Sequence, residues 1–212
     1  VLILGIDSAA SACNACVWRD GKVLALAAEQ MERGQDRRLM PMIVETIQQA
    51  GVDFPALDRI AVTRGPGSFT GLRIGLAAAR GIGLAANKPV IGIDRFLVYR
   101  EQFKTRPGNL LAIIDSKRQE LFCRFYPANG QATEATMMMP DEIEKFLSEN
   151  KNTVVAGDAT LPSNIAILKP AENEIVTTAA LAARAIPDHP DFLPRPLYIR
   201  PPDVTFASRK AG

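Results

Sequence analysis

The stretch that most constrains the fold is residues 65–87, GPGSFTGLRIGLAAARGIGLAAN. After Pro66 its apolar residues recur at helical spacing, yet six of its positions are glycine. Glycine costs a helix interior about 1 kcal/mol against alanine, so Gly71, Gly75, Gly81 and Gly83 together cost about 4 kcal/mol. Some close packing must offset that. Gly71, Gly75, Ala79 and Gly83 recur every four residues and form one inclined stripe almost without side chains. A stripe of that kind lets another backbone approach closely. The expectation is an exposed ridge for a helix of another chain; the plainer alternative is packing against the protein's own sheet. A phosphate loop is a poorer match. Thr70-Gly71-Leu72 lacks the lysine of a Walker loop, and Thr70 stands where a dinucleotide fingerprint needs its third glycine. Ser68 or Thr70 is instead expected to cap the helix.

A second helix is expected over Arg37–Ala50, with Pro41 tolerable only in its first turn. Leu39, Met40, Met42, Ile43, Val44 and Ile47 cover more than half its circumference, wider than the stripe of about 100° that covering one sheet requires. The surplus points to a second buried surface. The chain is 47% hydrophobic and 23% charged with a net charge of +2, which neither demands nor excludes a polyanionic partner. No basic stripe with interleaved aromatics marks a nucleic-acid surface. No segment reads as a membrane span or a signal sequence, and the three cysteines argue for a reducing compartment. A cytoplasmic, soluble protein is therefore expected. Cys13 and Cys16 form a CxxC, but on a strand, where residues three apart face opposite ways. They read as buried apolar residues rather than a redox pair.

VLILGI ends at Asp7 and reads as a central strand. Strands over 12–19 and 22–29 follow, joined by the tight turn Asp20-Gly21. Further strands are expected at 57–63, 89–93 and 153–156, and helices at 141–150 and 177–186, the last with Thr177 as N-cap. The segment LLAIIDSKRQELFCRFYPANGQAT repeats the pattern of VLILGIDSAASACNACVWRDGKVL: an apolar strand, Asp-Ser, a polar turn, a second strand and a glycine turn. Asp7 and Asp115 lie 115 − 7 = 108 residues apart, about half of the 212. A unit repeated at half-length implies an α/β protein of two like subdomains facing across a cleft, taken as 1–100 and 101–212. From Pro187 the chain carries six prolines in sixteen residues, so an extended tail is expected, apolar enough to pack back on the first subdomain.

The segments ILGIDSA, RRLMPMI, GPGSFTGLRIGLAAARGI, AIIDSKRQELF and PLYIRPPDVT, in that order from one end to the other, resemble the TsaB (YeaZ) family. These are accessory subunits of bacterial tRNA threonylcarbamoyladenosine synthesis. The resemblance implies the duplicated fold of actin, sugar kinases and Hsp70. It implies a non-catalytic subunit that binds a homologous catalytic subunit, TsaD, through two helices, and joins the ATPase TsaE. The complex would transfer threonylcarbamoyl to the adenosine beside the anticodon, reaching tRNA indirectly. Carried onto this chain, the interface falls on the two helices above, with Leu39, Met40, Ile43, Ile47, Gly71, Gly75, Ala79 and Gly83. Without its partner the same surface would drive self-association into a homodimer. One departure is Gln35, where many relatives have histidine.

Independent catalysis has little support in the residues. Metal chemistry through paired histidines is unavailable to a chain whose one histidine, His189, lies in the proline-rich tail. There is no HExxH, and a Ser–His–Asp or Cys–His set would need His189 deep in a cleft. The alternative is a nucleotide-binding protein or weak ATPase in its own right. Asp7, Asp115 and Asp158 would then face one cleft and hold Mg²⁺ through water. However, the turns after Asp7 and Asp115 lack the glycine with which such folds wrap phosphates. No cofactor is expected to be required by this chain, with ATP and Mg²⁺ entering at the level of the complex.

Overall fold

The computed structural model describes residues 1–10, 12–171 and 173–199. The last residues of the proline-rich tail and of the PLYIRPPDVT motif, from 200 onward, and Ser11 in the turn after Asp7 lie outside the described residues.

The half-length repeat is realised as two five-stranded sheets with the same strand order. The first contains β1 (Leu2–Asp7), β2 (Ala12–Arg19), β3 (Lys22–Gln30), β4 (Arg59–Thr63) and β5 (Val90–Ile93), in the order β3-β2-β1-β4-β5. The second contains β6 (Asn109–Ile114), β7 (Leu121–Tyr126), β8 (Thr136–Met138), β9 (Thr153–Gly157) and β10 (Ile167–Leu168), in the order β10-β9-β6-β7-β8. Read from β8, the second sheet repeats the first strand for strand. In both, the first strand pairs antiparallel with the second and parallel with the fourth. Asp20 and Gly21 both adopt positive φ, as the tight hairpin between β2 and β3 requires.

The helices are α1 (Gln35–Gln49), α2 (Phe69–Ala86), α3 (Arg95–Gln102), α4 (Pro140–Glu149) and α5 (Glu174–Arg184). The duplication is unequal: between β9 and β10, where the first half has α2, the chain runs without a helix. Neither α3 nor the short strands β8 and β10 were expected from the sequence, and α3 straddles residue 100, the expected boundary. Pro41 lies in the second turn of α1, because the helix starts at Gln35 rather than Arg37. Both Pro41 and Arg37, whose carbonyl loses its i+4 donor, are exposed, so water can satisfy that carbonyl. Helix α5 begins one turn before Thr177, with Asn173 rather than Thr177 at its N-cap.

Alternation along the strands builds three apolar layers. Leu2, Leu4 and Ile6 of β1 point outward with Cys13, Ala15 and Val17 of β2, under Leu39, Ile43 and Ile47 of α1 and Leu76, Ala79 and Ile82 of α2. Ile3, Cys16 and Trp18 point inward, into a layer shared with Ile114 and Phe122 of the second sheet. Cys13 and Cys16 thus lie on opposite faces, as the strand setting predicts. Helix α5 lies on β1, β2 and β4 of the first sheet and α3 contacts β6 of the second, so each half lends a helix to the other. The third layer, around Leu111, Ile113 and Ile143, lies under α4. The tail folds back on the first half: the Leu197 amide donates to the Arg64 carbonyl at 2.7 Å, and Phe192, Leu197 and Ile199 pack on the shared layer. No helix among the described residues is long and apolar enough to cross a membrane.

The glycine stripe faces inward, which corrects the expected ridge. A Cβ on Gly71 would overlap the Ser8 carbonyl oxygen, and one on Gly83 would overlap Val90. At Gly75 it would stand 2.7 Å from Ser8 Oγ. Ala79 has no exposure at all. The stripe is bald because α2 lies directly on the turn after β1 and on β4 and β5; it is core. Leu39, Ile43 and Ile47 are likewise buried against the sheet, and of the eight expected interface positions only Met40, at 42% exposure, reaches the surface. Ser68 is the N-cap of α2, accepting from the Gly71 amide. Gly81 alone among the glycines of α2 has open space around it. Two substitutions separate these roles in urea denaturation. Gly71→Ala should lower stability by several kcal/mol, since backbone must shift. Gly81→Ala should raise it by about 0.5–1 kcal/mol through helix propensity alone.

Candidate functional site

A cleft of about 750 Å³ opens between the two halves. Its walls are the turns after β1 and β6, the loop before α2, and the tail through Leu197, Tyr198 and Ile199. The repeated topology brings the two Asp-Ser turns face to face. Yet the three expected aspartates are not equivalent.

Asp7 closes β1 inside the protein, 2% exposed, and is not part of the cleft wall. Its Oδ1 accepts from the Ala9 amide at 2.8 Å, which folds the turn back on itself. Burial pushes its carboxyl above the usual range, against the opposing pull of the Ala9 amide and the Arg95 charge. Asp115 does line the cleft. Burial alone would raise its pKa, but the Lys117 amide, at 2.6 Å, and ammonium, at 3.0 Å, outweigh that and hold it below the usual range. Asp158 accepts from the Asp115 amide at 2.9 Å through one oxygen and from Arg95 Nη2 at 2.8 Å through the other.

Arg95, which the sequence reading overlooked, organises the floor. It is the first residue of α3, after the N-cap Asp94, and is 2% exposed. Its Nε and Nη2 donate to the two oxygens of Glu174 at 3.0 and 2.9 Å, and Nη2 also reaches Asp158 and, at 2.7 Å, the Tyr99 hydroxyl. Tyr99 in turn donates to Glu174 at 3.0 Å. Burial disfavours the guanidinium charge, but Glu174, Tyr99 and Asp158 overcome it and hold Arg95 protonated. An arginine directly followed by the apolar run FLVY was the available signal.

These carboxylates do not fit a metal-bound nucleotide. The cation they surround is a guanidinium fixed by side chains from both halves. Asp7 is sealed away, and among the described residues no group of three His, Cys, Asp or Glu side chains could hold a metal ion. The turn after β1 is closed as well, because the Ser68 amide donates to the Ala9 carbonyl at 2.7 Å and Gly67 lies directly over it. His189 is exposed in the tail, outside the cleft, with Nδ1 accepting weakly from the Asp191 amide at 3.3 Å. Cys13, Cys16 and Cys123 are buried in the sheets, where desolvation pushes their thiols up to about 11, 12 and 12. No Cys–His pair forms among the described residues, and Ser8 Oγ is engaged as a donor to the Gly71 carbonyl at 2.8 Å.

Residues 27–189 match the family model TsaD, tRNA N6-adenosine threonylcarbamoyltransferase. The tRNA threonylcarbamoyladenosine biosynthesis protein TsaB of Escherichia coli K12 is 34% identical over 64% of this chain and 62% of its own length. The chain thus aligns with somewhat less than two thirds of that relative. A Pseudomonas aeruginosa protein described as similar to peptidase YeaZ superposes with a TM-score of 0.72 at 22% identity, over 94% of this chain and 99% of its own. The activator of the 2-hydroxyisocaproyl-CoA dehydratase from Clostridium difficile, with bound ADPNP, gives a TM-score of 0.53 at 9% identity, covering 86% and 94%. The architecture shared with these structures is the pair of like halves, each built on a five-stranded mixed sheet.

Two substitutions test the floor. Glu174→Gln leaves Arg95 buried with half its neutralising charge and should cost about 3 kcal/mol in urea denaturation. Asp7→Asn keeps the acceptor for the Ala9 amide but removes a buried charge. A carboxyl whose folded pKa is raised stabilises the fold below its ordinary value and loses that contribution as pH rises through the folded value. The variant should therefore melt higher than the wild type at neutral pH. Its advantage should vanish as pH falls to the ordinary carboxyl range.

Proposed function

The chain belongs to the TsaB (YeaZ) family, and from that premise we propose that it is a docking subunit of a tRNA threonylcarbamoyladenosine-forming assembly, without chemistry of its own. In this reading it binds a TsaD-type catalytic subunit through the outward faces of α1 and α2. A TsaE-type ATPase joins the assembly, ATP and Mg²⁺ belong to the other subunits, and tRNA is reached through the complex in the cytoplasm.

The observation that carries the reading is the apolar outer surface of the two adjacent helices. On α2, Ala77, Gly81, Leu84 and Ala85 are exposed, Leu84 at 86%, with Ile74 and Ala78 half-buried beside them. On α1, Met40 at 42% and Val44 at 39% flank the exposed Pro41. The arginines of α2 lean away: Arg80 donates to the Pro194 carbonyl and Arg73 to the Tyr198 hydroxyl. Gly81 supports the reading independently. It carries the helix penalty of a glycine with nothing of this chain packed on it, which a closely approaching foreign helix would offset. Apolar surface of this kind on a monomer marks an interaction site. The interface thus shifts by about half a turn from the stripe read in the sequence, keeping Met40 and replacing the buried positions with Val44, Ala77, Gly81 and Leu84.

Affinity co-purification with a TsaD-type subunit tests this. Gly81→Trp and Leu84→Asp should each abolish retention while leaving the melting temperature within a few degrees of wild type, because both positions face solvent. Retention equal to wild type in both variants would contradict the proposal. The same face should drive self-association of the lone chain: light scattering at high concentration should give twice the chain mass for wild type and one chain mass for Leu84→Asp.

A further inference from the structure

No single segment of the sequence interleaves basic and aromatic residues, but the fold assembles such a surface from two segments. The returning tail runs along α2 in the opposite direction. Tyr198 meets Phe69 and Arg73 near the start of the helix, and Pro194 meets Arg80 two turns further on. At about 100° per residue, positions 69, 73 and 80 fall within about 40° of one another, on one edge of α2. Phe69 and Tyr198 stack with ring centres 5.2 Å apart and planes inclined by 32°, yet both stay open to water, at 42% and 40% exposure. The Arg73 guanidinium lies 4.0 Å from the Phe69 ring centre.

This seam has cations and no acid of its own. Helix α2 and residues 192–199 contain Arg73, Arg80 and Arg195, all exposed, and no Asp or Glu. Asp191, the nearest acid along the tail, lies 3.7 Å from His189 Nδ1. Elsewhere arginines answer carboxylates: Arg95 pairs with Glu174 and Asp158, and Arg64 and Arg124 share Asp94 at 3.6 and 3.5 Å. None of the three seam arginines forms an ion pair among the described residues. Arg73 donates through Nε alone, to the Tyr198 hydroxyl at 3.4 Å, and Arg80 through Nη2 alone, to the Pro194 carbonyl. Each guanidinium is thus held in place with its other nitrogens facing no acceptor among the described residues.

We propose that this seam binds an unpaired stretch of RNA, with Arg73, Arg80 and Arg195 on phosphates and Phe69 and Tyr198 stacking bases. Guanidinium forks match phosphate oxygens, and exposed rings are the platforms on which unpaired bases stack. That the polyanion is RNA rests on the function proposed above. The rings separate it from an acidic peptide, which would meet the charge and leave them unused. Arg73 and Arg80 border Ala77 and Leu84 on the same helix, so RNA held here would pass along the rim of the subunit contact.

The test is fluorescence anisotropy of the full chain, without a partner subunit, against a labelled single-stranded RNA and an unmodified tRNA transcript. Affinity should fall with salt at a log–log slope of about −2, from three phosphates at about −0.7 each. Arg80→Gln keeps a donor for the Pro194 carbonyl but loses the charge. It should weaken binding several-fold and flatten the slope by about 0.7. Tyr198→Leu keeps apolar contact with Phe69 but cannot stack a base, and should weaken binding about tenfold at unchanged slope. Arg106→Ala, at an exposed arginine off the seam, should change neither quantity. Absence of binding at low salt, wild-type affinity in both seam variants, an equal loss in Arg106→Ala, or competition by polyglutamate as strong as by unlabelled RNA would each overturn the proposal. Because no partner subunit is present, failure here would leave the docking face standing, and failure of docking would leave an observed RNA contact standing.

Discussion

The closeness of α2 to the turn after β1 decides what the rest of the first half can present. Gly71 and Gly75 bring the helix backbone against Ser8, whose hydroxyl donates to the Gly71 carbonyl at 2.8 Å. That contact offsets the helix penalty of the inner glycines and seals one side of α2 completely. The apolar residues that remain, Ala77, Leu84 and their neighbours, then have nowhere in this chain to go. The exposed apolar face follows from the inner face being filled.

The same approach shapes the cleft. The loop before α2 bonds to the Ala9 carbonyl, with Gly67 lying directly over it. Opposite it, Arg95 draws Glu174 and Asp158 from the second half onto a helix of the first. A fixed guanidinium supplies the positive charge around which these acids gather, and it ties the halves together at the base of the cleft. Exchange of α3 and α5 between the sheets reinforces that tie.

Much of this was legible in the sequence for a physical reason. A strand buried on both faces is a continuous apolar run, and Asp-Ser after two such runs at half-length spacing marks the duplication that the sheets display. Periodicity also identified which residues of α2 share a side. It is silent on what covers a side, so the stripe of Gly71, Gly75, Ala79 and Gly83 read as surface when it is core. Gly81, two positions from Gly83, carried no separate signal, although among the glycines of α2 it alone faces open space. Helix α3 was missed because eight residues are barely two turns, too few to show a helical period, and its N-cap Asp94 was the cue for it. Arg64 and Arg124 are far apart in the chain, and only pairing across the halves brings them to one carboxylate.

The central claim is that the outer faces of α1 and α2 are covered by another subunit. Hydrogen–deuterium exchange of this chain, alone and mixed with a TsaD-type subunit, tests it most directly. Slowed exchange confined to residues 40–48 and 74–85, with the cleft turns unchanged, is the predicted result. Unaltered exchange in both helices, with protection appearing at the cleft or along the second sheet, would contradict it.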